Sequence, residues 1–248
     1  MLRVEDVMGT TVVVDVRDDD VPEASLDDVF AWLRWVDEMF STYKPESQIS
    51  RLGRGELAFE NAHADVREVL ARCEQLRLAT AGFFDVHATA GGGILDPSAL
   101  VKGWSVDRAG ELLDRAGARN YAINAGGDVL VRGGALPESC WRVGIRHPTE
   151  ADAVAKAIEV TELAVATSGA YERGTHIRDP HTGRPPEGVL SVTVTGPDLG
   201  TADAYATAAF AMGAAGPAWT ARLNGGYAAS TILADGRVLS TPGFPGMW

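Results

Sequence analysis

Apolar side chains recur at helical spacing from Ser25 to Phe40, where Leu26, Val29, Phe30, Leu33, Val36 and Phe40 share one face. Ser25 followed by Asp28 resembles a capping pair for that helix. A second helix is predicted over Ala64 to Ala81, with Val66, Val69, Leu70, Cys73 and Leu76 inward and Gly82 as its stop. A third covers roughly Trp104 to Ala116 and ends at Gly117. Strand patterns behave differently. Thr10 to Val16 is a β-branched run closed by the acidic turn Asp18-Asp19-Asp20. Strands are also predicted at Tyr121–Asn124, Val129–Val131, Trp141–Ile145, Ala157–Ala166 and Leu190–Thr195, with a tight turn at Gly126-Gly127-Asp128. Helices over Thr201–Met212 and Pro217–Leu223 precede a hairpin spanning Tyr227 to Leu239 around Asp235-Gly236. Helices grouped early and strands grouped late predict an α+β fold with antiparallel strands, not a regular parallel α/β sheet.

The chain of 248 residues, without a Pro/Gly/Ser-rich linker or a repeat at fixed period, is expected to form a single domain over 1–248. Its 34 acidic and 22 basic side chains leave a net charge of −12. That balance argues against nucleic acid, whose phosphates call for a clustered positive surface. It also opposes an anionic ligand unless a metal or local dipoles offset the field. No apolar run is long enough to cross a bilayer, and the N-terminus carries no basic region followed by an apolar stretch. A cytoplasmic protein is the expectation. Cys73 and Cys140 stand far apart and form no metal or redox motif. Among the 22 Lys and Arg residues, only Lys44, Lys102 and Lys156 are lysines, so a lysine inside a motif is less readily surface filler.

Three segments could carry chemistry. Asp203 and Thr207 lie four apart, so a helix turns their oxygens the same way and offers the hard ligands that Mg²⁺ prefers. Equally, Asp203 could complement a helix N-terminus while Thr207 packs. Asp96 to Trp104 reads as a loop entering the third helix, with Lys102 available to a phosphate or a ring carbonyl; it lacks the glycines of a P-loop. Thr167-Ser168-Gly169 reads as a donor-rich turn suited to anions, and His176 could shuttle a proton or be a satisfied strand residue. Motifs of serine hydrolases, zincins and Rossmann dehydrogenases are missing.

Taken in order, the motifs resemble those of the FAD:protein FMN transferases, the ApbE-type flavin transferases. The series runs through Met8-Gly9-Thr10, Phe40 to Leu52, Gly82-Phe83-Phe84-Asp85 and Asp96 to Asp107. It continues through Asn124 to Asp128, Trp141 to Ile145, Ala166 to Gly169, His176 to Gly183 and Ala202 to Ala208. It covers residues 8 to about 213, leaving 214–248 as a C-terminal helix and hairpin. Such a resemblance implies a T-fold-like domain and an enzyme that cleaves the FAD pyrophosphate. FMN would then be joined by a phosphoester to a threonine of a target flavoprotein. It implies Mg²⁺, with Mn²⁺ as the other candidate, held by Asp203 and Thr207 with a backbone carbonyl of Ala99 or Ala206. By the same resemblance Met8, Tyr43, Phe83, Phe84, Asp85, Asp96, Lys102 and Ile177 line the FAD pocket, and Thr167, Ser168 and Gly169 lie near the phosphates. Asp203 and His176 are the candidate catalytic residues. Two departures are a shortened, glycine-rich stretch at Gly91-Gly92-Gly93 and Gly53 where the family commonly has Asn. An FAD pyrophosphatase releasing FMN and AMP, or a non-catalytic FAD-binding protein, is the alternative.

Overall fold

The structure, a computed structural model, describes residues 1–87, 95–150, 153–169 and 177–246. It opens with a hairpin of β1 (Leu2–Val7) and β2 (Thr10–Val16), joined by Met8 and Gly9. Both turn residues have positive φ, 55° and 69°, which matches the twist of a two-residue hairpin. Helices α1 (Ala24–Phe40), α2 (Gln48–Gly53), α3 (Ala64–Ala79) and α4 (Ser98–Arg115) follow. Next come β3 (Tyr121–Ala125), β4 (Asp128–Arg132), β5 (Trp141–Arg146), β6 (Val154–Val160), β7 (Leu163–Gly169) and β8 (Val189–Gly196). Helices α5 (Leu199–Ala211) and α6 (Gly216–Thr220) and strands β9 (Ala228–Leu233) and β10 (Val238–Ser240) complete the order.

Among the described residues, eight strands form one sheet in the order β1-β2-β3-β4-β7-β8-β9-β10, antiparallel at every pairing. Strands β5 and β6 leave this meander and pair with each other. The alternation along the strands decides what each face meets. Val12, Val14, Val16, Ile123, Leu130, Ala164 and Ala166 pack against Phe30 and Leu33 of α1, Val106 and Leu113 of α4 and Ala206 of α5. Val129, Val131 and Val165 face the other way and pack on Trp141, Val143, Ile145 and Ile158 of the small sheet. Strand β4 is therefore apolar on both faces at its centre, whereas β5 strictly alternates buried and exposed. A separate helical core joins Val36 and Phe40 of α1, Ile49 of α2, Val69 and Cys73 of α3 and Trp104 of α4.

Mixed architecture with early helices and antiparallel strands agrees with the sequence expectation, but several local expectations change. The strand β1 and the helix α2 carried no recognised signal. Ala157–Ala166 is two strands in two sheets, because the chain turns at Thr161 and Glu162 between β6 and β7. Ser25 and Asp28 form no capping pair: α1 already starts at Ala24, and the Ser25 hydroxyl donates to the Pro22 carbonyl. Helix α4 begins at Ser98, six residues before Trp104, because the Asp96 carboxylate accepts the Ser98 N–H at 3.0 Å and opens the helix. Lys102 is consequently a helical residue and not a loop residue. Helix α3 ends at Ala79, two residues short of the expected Ala81, and the chain leaves it through Ala81 and Gly82 at φ 52° and 83°.

Candidate functional site

Two helices and two strands bring the polar groups together, and the crossing of α4 and α5 sets the geometry. A Cβ on Gly103 would lie 2.5 Å from the Leu199 carbonyl oxygen, and one on Gly200 would lie 3.1 Å from the Trp104 nitrogen. The two backbones therefore touch where neither residue carries a side chain. The first turn of α5 is fixed by carboxylates. Asp107 of α4 accepts the N–H groups of Leu199 and Gly200 at 2.7 and 2.8 Å, and Asp198 accepts that of Thr201 at 2.8 Å. Arg72 of α3 and the Tyr227 hydroxyl in turn hold Asp198. Burial pushes the Asp107 carboxyl up to about 6, against the pull of those two N–H donors. At Asp198 burial also acts upward, but the hydrogen bonds from Tyr227 and Thr201 and the Arg72 charge outweigh it and hold the carboxyl below its ordinary range.

So anchored, α5 places Asp203, 3% exposed, against Lys102 of α4: Nζ lies 3.6 Å from Asp203 Oδ2. The same ammonium is 2.6 Å from Oδ2 of Asp128, a carboxylate that is 1% exposed at the start of β4. Asp128 Oδ1 accepts the Thr167 N–H of β7 at 3.0 Å. One turn along α5 from Asp203, the Thr207 hydroxyl lies 3.3 Å from that of Ser168. A buried site thus gathers one ammonium, two carboxylates and two hydroxyls.

Not every residue singled out from the sequence joins this cluster. Thr167 and Ser168 lie in β7, with Thr167 opposite Thr193 and Ser168 opposite Val192, so Thr167-Ser168-Gly169 is strand and not a turn. The pleat sends Ser168 toward α5, while the Thr167 hydroxyl pairs with Thr193 on the other face at 2.9 Å. Thr167 meets the site through its N–H alone. Ala99 is half-buried in the first turn of α4, and Ala206 is buried on α5 one residue before Thr207. Met8 packs against both the main core and the helical core, and its sulfur accepts the Ser105 hydroxyl at 3.6 Å. Ile177 packs on the main core.

Phe84 is buried, and Phe83 meets the His181 ring edge-on at 4.7 Å. His181 Nε2–H also donates to the Ala81 carbonyl at 3.1 Å, which clamps the 179–184 turn onto the Gly82 turn. Asp85 accepts the His87 N–H and borders a cleft of about 480 Å³, lined also by Leu52, Cys73, Arg77, Val86 and Leu95. That cleft shares Asp85 with the expected flavin-lining set and none of the Lys102–Asp203 cluster. Asp96, beyond opening α4, donates its N–H to the Val86 carbonyl at 2.8 Å. Tyr43 is 91% exposed and joins none of these groups. His176 and Gly91–Gly93 lie outside the described residues.

Asp128 is the residue that sequence reasoning missed. It follows two glycines with positive φ and reads as the end of a hairpin turn. The available signal was a carboxylate at the first position of a strand otherwise apolar through Val131. Among the described residues, no three His, Cys, Asp or Glu side chains gather as a metal cage. With Asp128 paired to Lys102, the donors left on α5 and β7 are the Asp203 carboxylate and the Thr207–Ser168 hydroxyl pair, a set that suits Mg²⁺, which keeps several waters and takes few carboxylates beside substrate phosphates. No helix among the described residues is long and apolar enough to cross a membrane.

Comparison with known proteins gives this site a family context. An FAD:protein FMN transferase of Vibrio cholerae is 37% identical over 129 residues, 48% of this chain and 39% of the relative. One of Rhodobacter capsulatus is 39% identical over 158 residues, 60% of this chain and 30% of the relative. The match to the Haemophilus influenzae protein of the same name is longer, 27% over 272 residues, covering 83% of this chain and 79% of the relative. This chain thus spans well under half of the first and second relatives and most of the third. The fold superposes on the solved flavin transferase ApbE of Vibrio cholerae with a TM-score of 0.87 at 24% identity, covering 98% of this chain and 97% of that one. The ApbE protein of Thermotoga maritima superposes with a TM-score of 0.86 at 23% identity, over 98% and 97% of the two chains. The profile of the ApbE family matches residues 8–92 and 87–231, most of the chain, and this protein belongs to the ApbE family.

Proposed function

We propose that this protein is a Mg²⁺-dependent FAD:protein FMN transferase that joins FMN to a threonine of a target flavoprotein. The observation that carries the reading is the convergence of Lys102, Asp203, Thr207 and Ser168 at the crossing of α4 and α5. Asp203 and Thr207 would hold the cation, with a backbone carbonyl of Ala99 or Ala206. When bound, a divalent cation neutralises charge on the pyrophosphate and eases the departure of AMP. Lys102 would donate hydrogen bonds to the phosphate end of FAD. Asp128 and Asp203 already neutralise its charge, so the divalent cation is what would offset the repulsion that a net charge of −12 exerts on an anionic substrate. Met8, Phe83, Phe84, Asp85, Asp96 and Ile177 would line the remainder of the FAD site.

In the transfer, the acceptor threonine oxygen forms a bond to the phosphorus that becomes the FMN phosphate. The anhydride bond to AMP breaks, and the threonine proton is released. Since the nucleophile belongs to the partner, the chain needs no nucleophile of its own. His176 and Asp203 are the candidates to receive the proton. The test incubates protein, FAD, Mg²⁺ and a flavoprotein carrying an acceptor threonine, and follows intact mass. A gain equal to FMN, lost in Asp203→Ala, supports transfer. Release of FMN and AMP at the same rate without acceptor favours a pyrophosphatase. FAD binding without turnover, unchanged in Asp203→Ala, favours a binding protein.

A further inference from the structure

The ammonium of Lys102 lies between two buried carboxylates that belong to different elements. One, Asp203, stands on α5 beside Thr207; the other, Asp128, opens β4. The ammonium is 2.6 Å from Asp128 and 3.6 Å from Asp203, so it is drawn to the strand and away from the helix. Asp128 is held from two directions. Its backbone closes the β3–β4 hairpin opposite Ala125, and its Oδ1 accepts the Thr167 N–H of β7 at 3.0 Å. Lys102 stands on a long flexible stem, whereas Asp128 has a short side chain pinned to the sheet, so the lysine adapts to the aspartate.

We propose that Asp128 is a positioning residue: it claims the Lys102 ammonium and thereby weakens the competition of that ammonium with a divalent cation for the Asp203 carboxylate. The proposal rests on the metal reading of Asp203 and Thr207 given above. Two cations cannot share one carboxylate edge in a buried site without strong repulsion. Replacing Asp128 with Asn retains the volume and an oxygen for the Thr167 N–H, but presents an amide donor to the ammonium. Lys102 would then swing the short remaining distance onto Asp203, and an entering metal would have to displace it from a buried ion pair.

The experiment is a double-mutant cycle read in metal affinity. Mn²⁺ is titrated into protein saturated with FAD, and free Mn²⁺ is followed by its EPR signal. Asp128→Asn is expected to weaken Mn²⁺ binding about tenfold or more in the presence of Lys102. In the Lys102→Met background the same substitution is expected to cost less than about threefold, since only a neighbouring charge is lost. An equal factor in both backgrounds overturns the proposal, because Asp128 would then act only as a distant charge. A larger factor without Lys102 overturns it too, because Asp128 would be a ligand itself. If Asp128→Asn does not fold, Asp128→Glu carries the test. A retained carboxylate still claims the ammonium and should hold Mn²⁺ affinity within about threefold, and a tenfold loss overturns the proposal. Parent protein that binds no Mn²⁺ with FAD present overturns the metal reading itself, and the role of Asp128 with it.

Discussion

Alanine at Gly103 tests whether the contact between α4 and α5 sets the site. The new Cβ would lie 2.5 Å from the Leu199 oxygen, 2.6 Å from its carbonyl carbon and 2.7 Å from the Gly200 Cα. Ordinary contact begins near 3.4 Å, so the helices must part by about 1 Å. All three obstructing atoms are backbone, so no side chain can rotate away. Helix propensity favours Ala over Gly by about 1 kcal/mol in a helix interior. Overpacking opposes it by about 1–3 kcal/mol, and rigid backbone places this case toward the upper end. The balance is a net destabilisation of about 1–2 kcal/mol, read as a fall of roughly 0.5 M in the urea midpoint. Function should suffer more than stability. Lys102 and Asp203 flank the crossing, and a displacement of about 1 Å at a reacting site lowers rate by about 100-fold. Gly53→Ala, where the Cβ meets Leu95 at 3.4 Å, is the control and should leave stability unchanged or slightly raised. A Gly103→Ala protein as stable as its parent, with undiminished FMN transfer, would refute the reasoning.

The buried carboxyl of Asp107 makes stability depend on pH. Its folded value is about 6 and its ordinary value 3.8, so its contribution is fully present below pH 3.8 and is lost as pH rises through 6. Relative to Asp107→Asn, the parent should gain about 2 kcal/mol in urea unfolding between pH 7.5 and pH 4.5; a constant difference would show that the carboxyl is not perturbed. Burial pushes the Cys73 thiol up to about 12, and its side chain is 2% exposed, so native protein should expose only Cys140 to a thiol reagent until denaturant is added. Rapid modification of both would contradict the packing of α3. Thr207→Val, which keeps the volume and removes the hydroxyl beside Ser168, should lower Mg²⁺-dependent transfer roughly 10- to 100-fold. EDTA should abolish transfer and added Mg²⁺ restore it; transfer that persists in EDTA would end the metal reading.

Chain-local patterns determined a good deal. The apolar stripe of α1 and the strict alternation of β5 announce one buried face each, because a helix repeats every 3.6 residues and a strand every two. Gly126 and Gly127 mark the β3–β4 turn because left-handed backbone there excludes most side chains. The ordered motifs pointed to the family, and the i, i+4 spacing put Asp203 and Thr207 on one helix face. Periodicity was weaker where burial is complete. Helix α5 is buried nearly all round, so it has no polar stripe to betray its orientation.

The tertiary structure alone decided which groups meet. Lys102 and Asp128 are separated in sequence by the rest of α4 and by β3, and only the sheet register and the packing of α4 on the sheet bring them to 2.6 Å. Asp107 looks from its sequence like one more polar position on α4, yet it satisfies the first turn of α5. Thr167 and Ser168 are neighbours of similar chemistry, but the pleat sends one hydroxyl to Thr193 and the other to Thr207. Tyr43 is itself one of the expected ligand-lining residues, and the fold leaves its side chain exposed. Periodicity, turns and caps are properties of short segments and can be read from them. Which buried carboxylate faces which ammonium depends on strand register and helix crossing, and these are set by packing between segments far apart in the chain.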